Sequence, residues 1–385
     1  ESVDGGFDIV RHDSATGDKS ILVKAEQLIP EGADKPLEIK DYSWSDDGRF
    51  VLISTNTVKF RRLESLGDYW LLGLADSTLR QIGTDAPPST LMYAKFSPDS
   101  KFVAYMYLNN LYIESLDGRT IRQLTRDGSD LVVNGTGDWV NEEEFDLRDG
   151  FKWSPDSKRL CYWQFDTEGV GTFYMINNTD DVYSKPIPLQ YPKAGTTNSA
   201  VRVGVIEIES AETVWVQLQG DPRQNYVPQM DWADNSGQLI IQYVNRLQNK
   251  NQVLLANAAD GSVQHIFTDS DDAWIDVNTD VKWLGDGRYF TWLSERDGWR
   301  HLYLVSRDGK DVRLVTPGDF DIIKVDHIDT ADGWVYYTAS PDDSAARYLF
   351  RSPLTGEARV ERLTPESESG FHEYEVATNS KWAFH

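Results

Sequence analysis

Residues 96–107 read Phe-Ser-Pro-Asp-Ser-Lys-Phe-Val-Ala-Tyr-Met-Tyr, in which a short polar turn separates an aromatic residue from a run of alternating side chains. The Asp-Ser pair suits a tight turn, because Asp, Asn and Gly tolerate a positive φ more readily than other residues. The run that follows the turn has the composition of a β-strand. Further copies of the motif begin at Trp44, Trp153, Trp232, Trp283, Asp329 and Val376. Successive copies lie 52, 57, 79, 51, 46 and 47 residues apart, which indicates an internal repeat.

A second motif follows the turn in the repeats. Leu-Tyr-Ile-Glu-Ser-Leu-Asp-Gly at 111–118 leads into 121–125, and Leu-Tyr-Leu-Val-Ser-Arg-Asp-Gly at 302–309 leads into 312–316. Together the two motifs predict four short antiparallel strands per repeat, as in a propeller blade. Almost nothing in the sequence has the pattern of a long amphipathic helix. We therefore predict an all-β chain folded as a β-propeller of four-stranded antiparallel blades, with a tandem array of β-sandwiches as the alternative.

The number of blades depends on the long gap and on the two ends. The 79-residue gap contains two further strand-like runs, 201–208 and 213–218, which predict an extra, degenerate blade and a ring of about eight blades, with seven possible. Residues 7–22 have the pattern of two outer strands and residues 371–385 that of two inner strands. Either these ends complete one blade together or flanking strands have been cut away. We expect one propeller domain over residues 1–385. Because the first residue is Glu rather than Met, we also expect the chain to be a processed or excised piece.

Composition excludes several classes of partner and site. The chain has 38 Lys and Arg against 62 Asp and Glu, a net charge of −24, which argues against nucleic acid and anionic membranes as partners. No stretch approaches the roughly eighteen apolar residues of a membrane span. The single cysteine, Cys161, excludes an internal disulfide framework. No phosphate loop, dinucleotide fingerprint or zinc-ligand spacing is present, so we expect neither a cofactor nor a metal.

One segment does not fit the repeat. Residues 134–146 read Asn-Gly-Thr-Gly-Asp-Trp-Val-Asn-Glu-Glu-Glu-Phe-Asp, with three consecutive glutamates. Like charges this close are unfavourable unless they are solvated or share a cation. The segment is therefore either a solvated acidic loop or a binding site for an ammonium group, held by charge-assisted hydrogen bonds. The second interpretation requires a helical turn or a bulge, because neighbouring strand residues point to opposite faces, and Trp139 and Phe145 could anchor such a turn.

The run Asp138–Phe145 resembles the glutamate motif of the dipeptidyl peptidase IV family of serine exopeptidases. Further matches follow in order at 153–156, 163–166, 191–195, 245–249 and 294–301. The resemblance covers essentially the whole chain, but only the N-terminal propeller half of that family.

The resemblance implies a set of site residues. Glu143 and Glu144 correspond to the two glutamates that hold the free α-amino group of the peptide substrate. Arg62, rather than the adjacent Arg61, corresponds to the arginine that contacts the substrate carbonyl. Supporting positions are Glu142, Asp138 and Trp139. A further arginine of some members has no counterpart between Trp274 and Asp280.

The resemblance also implies a larger enzyme that releases X-Pro or X-Ala dipeptides, in which this domain gates the active site. The catalytic serine of that family lies in a C-terminal α/β-hydrolase domain, and no serine here has the Gly-x-Ser-x-Gly pattern, so we expect this chain to be inactive by itself. Further implications are a homodimer that uses residues 166–200 and a periplasmic or secreted location. The alternative function is a stand-alone propeller that acts as a protein-interaction scaffold.

Overall fold

The computed structural model describes residues 2–3, 6–285, 287–356 and 359–385. These residues fall into two compact units, 1–216 and 217–385, which are described separately. The first unit contains strands β1 (Ser2–Val3), β2 (Gly6–Phe7), β3 (Ile9–His12), β4 (Lys19–Val23), β5 (Asp41–Trp44), β6 (Phe50–Phe60), β7 (Leu63–Gly73), β8 (Leu79–Ile82), β9 (Leu91–Phe96), β10 (Phe102–Tyr107), β11 (Asn110–Ser115), β12 (Ile121–Gln123), β13 (Val132–Asn134), β14 (Phe151–Trp153), β15 (Arg159–Asp166), β16 (Thr172–Asn177), β17 (Lys185–Gln190), β18 (Ala200–Glu207) and β19 (Thr213–Trp215). A 3₁₀ helix spans Ala25–Leu28 and an α-helix, α1, spans Trp139–Phe145.

The second unit contains strands β20 (Asn225–Trp232), β21 (Gln238–Asn245), β22 (Lys250–Asn257), β23 (Val263–Ser270), β24 (Trp283–Leu284), β25 (Tyr289–Ser294), β26 (His301–Ser306), β27 (Val312–Leu314), β28 (Ile322–Asp329), β29 (Trp334–Ala339), β30 (Tyr348–Pro353), β31 (Glu361–Arg362), β32 (Glu375–Val376) and β33 (Ala383–Phe384). Within the described residues, no helix has the length and apolar character needed to cross a bilayer.

The strands pair as successive four-stranded antiparallel units. In the first unit these are β5–β8 and β9–β12, which a short β7–β9 ladder joins into one eight-stranded sheet, and β14–β15–β18–β19, to which β13 adds a fifth strand through β15. In the second unit they are β20–β23, β24–β27 and β28–β31. Two-stranded ladders, β3–β4 and β32–β33, lie near the two ends of the chain, where the sequence predicts two strands each. The predicted all-β architecture of four-stranded antiparallel sheets is therefore confirmed.

The repeated turn has a physical basis in its Ser-x-Asp core. In the turn before β6, the Ser45 hydroxyl donates to Asp47 Oδ1 at 2.8 Å and accepts from the Phe50 amide at 3.0 Å. The same serine-to-aspartate bond recurs in the turns at 97–99 and 154–156, at 2.7 Å in each. The predicted tight turns are present, but the residues with a positive φ are Ser100 and Ser157 and not the aspartate of each Asp-Ser pair.

The hydrophobic cores lie between successive sheets. One cluster of the first unit joins apolar side chains of β9–β11 to those of β14 and β15, and one of the second unit joins β21 and β22 to β25 and β26. Large aromatic side chains such as Trp163, Trp292 and Tyr337 are fully buried. Each contributes on the order of 2–3 kcal/mol through the apolar area that it removes from water.

The prediction of an extra blade inside the 79-residue gap is wrong. The run at 201–208 forms β18, which pairs with β15 from Arg159↔Glu207 to Asp166↔Ala200, and the run at 213–218 begins with β19 of the same sheet. The added length is a separate hairpin, β16–β17. The gap is long because this hairpin is inserted between the second and third strands of one blade. That the sheets form one domain stays a prediction.

Candidate functional site

The segment with three glutamates folds as helix α1, which is the helical turn that the binding-site interpretation requires. Asp138 caps its N-terminus, where Oδ1 accepts hydrogen bonds from the backbone N–H of Asn141 at 2.9 Å and from its side-chain amide at 2.8 Å. The other carboxylate oxygen of Asp138 accepts a hydrogen bond from the Ser199 hydroxyl. Asp138 and Asn141 are both buried, and the hydrogen bonds between them set the position at which the helix begins. Asp138 therefore supports the glutamates by positioning the helix that carries them.

The backbone just before the helix, at Gly137, lies very close to the backbone just after it, at Leu147. A Cβ atom at Gly137 would lie 2.1 Å from the carbonyl oxygen of Leu147, so glycine is required there. Asp146 at the C-terminal end has a φ of 57°, and the Leu147 amide donates to Asn141 O at 3.1 Å. The short helix is therefore held at both ends.

The three glutamates have different surroundings. Glu142 is only 4% exposed and forms an ion pair with Arg61, whose guanidinium also donates to the carbonyl of Gly137 at 3.1 Å. The Nε atom of Arg148 lies 3.9 Å from Glu142 Oε1. The charge of Glu142 is therefore matched by two arginines inside the protein.

Glu143 and Glu144 are more accessible. Glu143 is 12% exposed, and its Oε1 lies 2.9 Å from Nε of Arg62, which is 73% exposed. Glu144 is exposed and makes no side-chain hydrogen bond or ion pair with any residue that the structure describes. Of the three carboxylates, one is buried in the structure, one is paired at the surface and one is open.

The two arginines lie at the tip of the β6–β7 hairpin. These strands have eleven residues each, against six in β10 and β11, and they carry the tip beyond the blade. Arg61 turns the chain with a φ of 59°, its guanidinium carbon lies 4.9 Å from the centre of the Phe60 ring, and Phe60 packs against the core between two sheets. The family resemblance favours Arg62 over Arg61 as the arginine that contacts the substrate carbonyl. In the structure both arginines pair with α1, Arg61 with Glu142 and Arg62 with Glu143.

The aromatic anchor of the helix is also in place. The ring of Trp139 lies 4.0 Å from that of Tyr191 at an angle of 34°, and Tyr191 in turn lies 5.8 Å from Phe173. Tyr191 follows β17, so the base of the β16–β17 hairpin contacts the start of α1.

The sequence did not single out a buried polar group beside this helix. Tyr93 in β9 has a φ of 55° and hydrogen bonds to Ser65 and Thr136. Burial raises the pKa of Tyr93, and the charge of Glu142 raises it further. No pattern in the sequence marks Tyr93, because its proximity to Glu142 depends on pairing between β7 and β9.

The second unit contains an acidic cluster made of Asp269, near the end of β23, and of Asp271, Asp272 and Asp276, which follow that strand. Asp269 accepts from the Trp292 indole at 2.9 Å, Asp271 accepts from the Ala273 amide at 2.7 Å, and Asp276 accepts from the Trp274 indole at 3.0 Å. Three of the four carboxylates therefore accept hydrogen bonds from neighbouring donors.

Comparisons with known proteins agree with the motifs. The sequence model of the family described as "Dipeptidyl peptidase IV (DPP IV) N-terminal region" matches residues 45–384. The chain is 28% identical over 367 residues to a probable dipeptidyl peptidase 4 of Emericella nidulans, covering 90% of this chain and 47% of that protein. It is 27% identical over 360 residues to dipeptidyl peptidase 4 of Trichophyton rubrum, covering 90% of this chain and 46% of that protein. The chain thus spans about half the length of the curated relatives it matches.

Solved structures give the same result for the fold. The crystal structure of Porphyromonas gingivalis dipeptidyl peptidase 4 superposes with a TM-score of 0.87 and 27% identity, over 98% of this chain and 53% of that one. A putative dipeptidyl aminopeptidase IV from Bacteroides ovatus superposes with a TM-score of 0.75 at 19% identity, over 98% of this chain and 53% of that one, a likeness of fold alone. The fold class is the predicted β-propeller. With the family model matched over residues 45–384, the chain belongs to the dipeptidyl peptidase IV N-terminal region family.

Proposed function

We propose that this chain is the substrate-recognising and gating propeller domain of a serine-type dipeptidyl peptidase that releases X-Pro or X-Ala dipeptides. In this proposal Glu143 and Glu144 bind the free α-amino group of the peptide, and Arg62 contacts the carbonyl that follows it. The names of the relatives and the family match support the peptidase class. The site assignment is supported by the surroundings of α1.

One observation carries the proposal. Glu142 is already neutralised by Arg61 inside the protein, whereas Glu143 is paired only with an exposed arginine and Glu144 is open. A ligand cation therefore has two carboxylates available to it, and these are the two that the family resemblance assigns to the amine.

The chemistry of an ammonium group fits this arrangement. Its three N–H donors can each form a charge-assisted hydrogen bond to a carboxylate oxygen. The ion pair between Arg62 and Glu143 is exposed on the arginine side, so breaking it costs little, about 1 kcal/mol or less. Arg62 could then leave Glu143 to the amine and donate to a peptide carbonyl.

Fixing the amine also explains how such a domain would contribute to catalysis. Two carboxylates at a fixed position select a peptide by the distance from its free N-terminus to the nucleophile. Binding energy spent there orients the scissile bond, which lowers the entropic part of the barrier. The nucleophilic serine would lie in a further α/β-hydrolase domain, and the reading frame beyond residue 385 should encode a Gly-x-Ser-x-Gly motif.

The test uses the full-length enzyme and a chromogenic X-Pro substrate. We expect Glu143→Gln and Glu144→Gln each to lower kcat/KM by about 100-fold, since an amide cannot neutralise the amine. Acetylation of the substrate amine should cost the wild type as much, but should cost the two variants little more. Glu212→Gln, at an exposed glutamate in the loop between β18 and β19, is the matched control and should behave as wild type.

Two results would contradict the proposal. Wild-type rates in both glutamine variants would rule out the amine-binding role of α1. Absence of dipeptide release by the full-length polypeptide would rule out the peptidase class and favour the stand-alone scaffold.

The β16–β17 hairpin supports a proposal for the homodimer contact. Tyr174 and Ile176 are about 60% exposed on one face, opposite Pro188 and Pro186 of the other strand. Prolines lack the N–H that strand addition needs, so β17 is a poor edge for pairing. We therefore expect two copies to meet through side-chain packing of this face.

A further inference from the structure

We propose that Glu368, His372 and His385 form a binding site for a divalent transition-metal ion such as Zn²⁺. One ligand atom from each side chain lies within 4.8 Å of the other two. Two imidazoles and a carboxylate are a donor set that zinc accepts, with a fourth position left for water. The proposal concerns the second unit only and does not depend on the peptidase assignment.

The terminal ladder brings the two histidines together. In the β32–β33 pair, Glu375 lies opposite Phe384, so the residues that flank the ladder, 374 and 385, approach each other. The Tyr374 and His385 rings stack with centres 4.6 Å apart at 13°. His372 lies two residues before Tyr374, and its backbone amide donates to the carbonyl of Arg347 at 3.2 Å.

The distances suit a metal after a small adjustment. Nδ1 of His372 and Nε2 of His385 are 2.8 Å apart, close enough to share a hydrogen bond. Tetrahedral zinc with Zn–N bonds of about 2.0–2.1 Å places two nitrogens about 3.3 Å apart. The rings would need to separate by about 0.5 Å. His385 is exposed, so this movement displaces no core side chain.

Hydrogen bonds hold the residues around the site in place. The Tyr374 hydroxyl accepts a hydrogen bond from Thr364 at 3.1 Å, which holds the ring that supports His385. The backbone N–H of Glu368 donates to Pro365 O at 3.0 Å, and its carbonyl accepts from Arg362 at 3.1 Å. Both histidines line a cavity of about 420 Å³, as do the carboxylates of Asp326, Glu373 and Glu375 and the cationic groups of Lys324 and Arg347. Lys324 pairs with Asp326 at 3.2 Å, which leaves Glu373 and Glu375 against one guanidinium group, a small excess of negative charge that favours a cation.

The sequence predicted no metal site, because these three residues do not have a zinc-ligand spacing. Their proximity depends on the β32–β33 pairing and on the isolated bridge between Arg347 and Phe371. An ion held by all three would join the two strands at one end of a ladder that has only two residue pairs.

The experiment is a titration of the tag-free, chelator-treated 385-residue chain with ZnCl₂ in a calorimeter, repeated with Co²⁺ by visible absorption. We expect one ion per chain and a weakening of more than about tenfold in each of His372→Ala and His385→Ala. Glu368→Gln should weaken binding less, because an amide oxygen remains. His265→Ala is the control, since His265 is an exposed histidine that bonds to Thr268.

Three results would overturn the proposal. They are the absence of saturable one-to-one binding to the wild type, unchanged affinity in His385→Ala, and an equal loss in His265→Ala. The first would mean that the two imidazoles form only a hydrogen bond. If His372→Ala does not fold, His385→Ala decides the question, because His385 is exposed.

Discussion

Two hairpins of the first unit differ in what they present. The β6–β7 hairpin ends in Arg61 and Arg62, and both guanidinium groups are paired with glutamates of α1. The β16–β17 hairpin presents apolar side chains; Tyr174, Ile176 and Tyr183 are between 60% and 83% exposed. Ion pairs attach the tip of the β6–β7 hairpin to α1. The β16–β17 hairpin has an apolar face that none of the described residues covers.

The two hairpins also contact the same helix. Arg61 and Arg62 reach Glu142 and Glu143, while Tyr191, just after β17, packs on Trp139. Blade strands with ordinary lengths and turns account for the fold, and the extensions of two blades position the helix that carries the candidate site. This contrast predicts that mutations at the buried charges lower the free energy of unfolding strongly, whereas mutations at the exposed apolar side chains change it little.

The largest effect is expected at the buried ion pair. Glu142→Ala leaves Arg61, 18% exposed, without its carboxylate, and should lower the free energy of unfolding by about 3 kcal/mol. Urea unfolding followed by tryptophan fluorescence measures the change. Glu144→Ala, two positions along the same helix, is the control and should stay within about 0.5 kcal/mol of wild type. Equal stability of the two variants would mean that the β6–β7 tip does not depend on buried charge.

A smaller loss is expected at the cap of the helix. Asp138→Ala removes the acceptor for the Asn141 amide and for Ser199, and should cost about 1–2 kcal/mol in the same unfolding measurement. Asp138→Asn keeps a side-chain oxygen in place and should cost less than half as much. If the asparagine variant is as unstable as the alanine variant, the charge of Asp138 matters more than its cap.

The sequence predicted those features that depend on neighbours along the chain. The Ser-x-Asp turns, the alternating strands and the helical turn at the glutamates all follow from residues within about ten positions of one another. The extra blade was wrong for a non-local reason. Strands β18 and β19, which the sequence assigned to the extra blade, complete the sheet of β15 across an inserted hairpin.

The proximity of the three glutamates was predictable for the same reason. The glutamates share one motif, so their proximity to each other was readable from the sequence. Which arginine serves which glutamate depends on the β6–β7 register, which shifts between Thr55 and Val58 and again before Phe60. A shift of one residue would exchange the directions of Arg61 and Arg62, and no sequence pattern specifies it.

The smallest effect on stability is expected on the exposed hairpin. The double variant Tyr174→Ser/Ile176→Ser removes apolar groups that are already in water, so the free energy of unfolding of the monomer should change by no more than about 0.5 kcal/mol. Its effect should appear in association instead, as a rise of at least about tenfold in the dimer dissociation constant of the full-length protein by sedimentation velocity. Leu247→Ser, at a side chain that is 74% exposed in the second unit, is the control and should leave association unchanged. A double variant that dimerises like wild type would exclude this face as the contact, whereas one that loses several kcal/mol of monomer stability would show that the hairpin, like β6–β7, is needed to hold the fold.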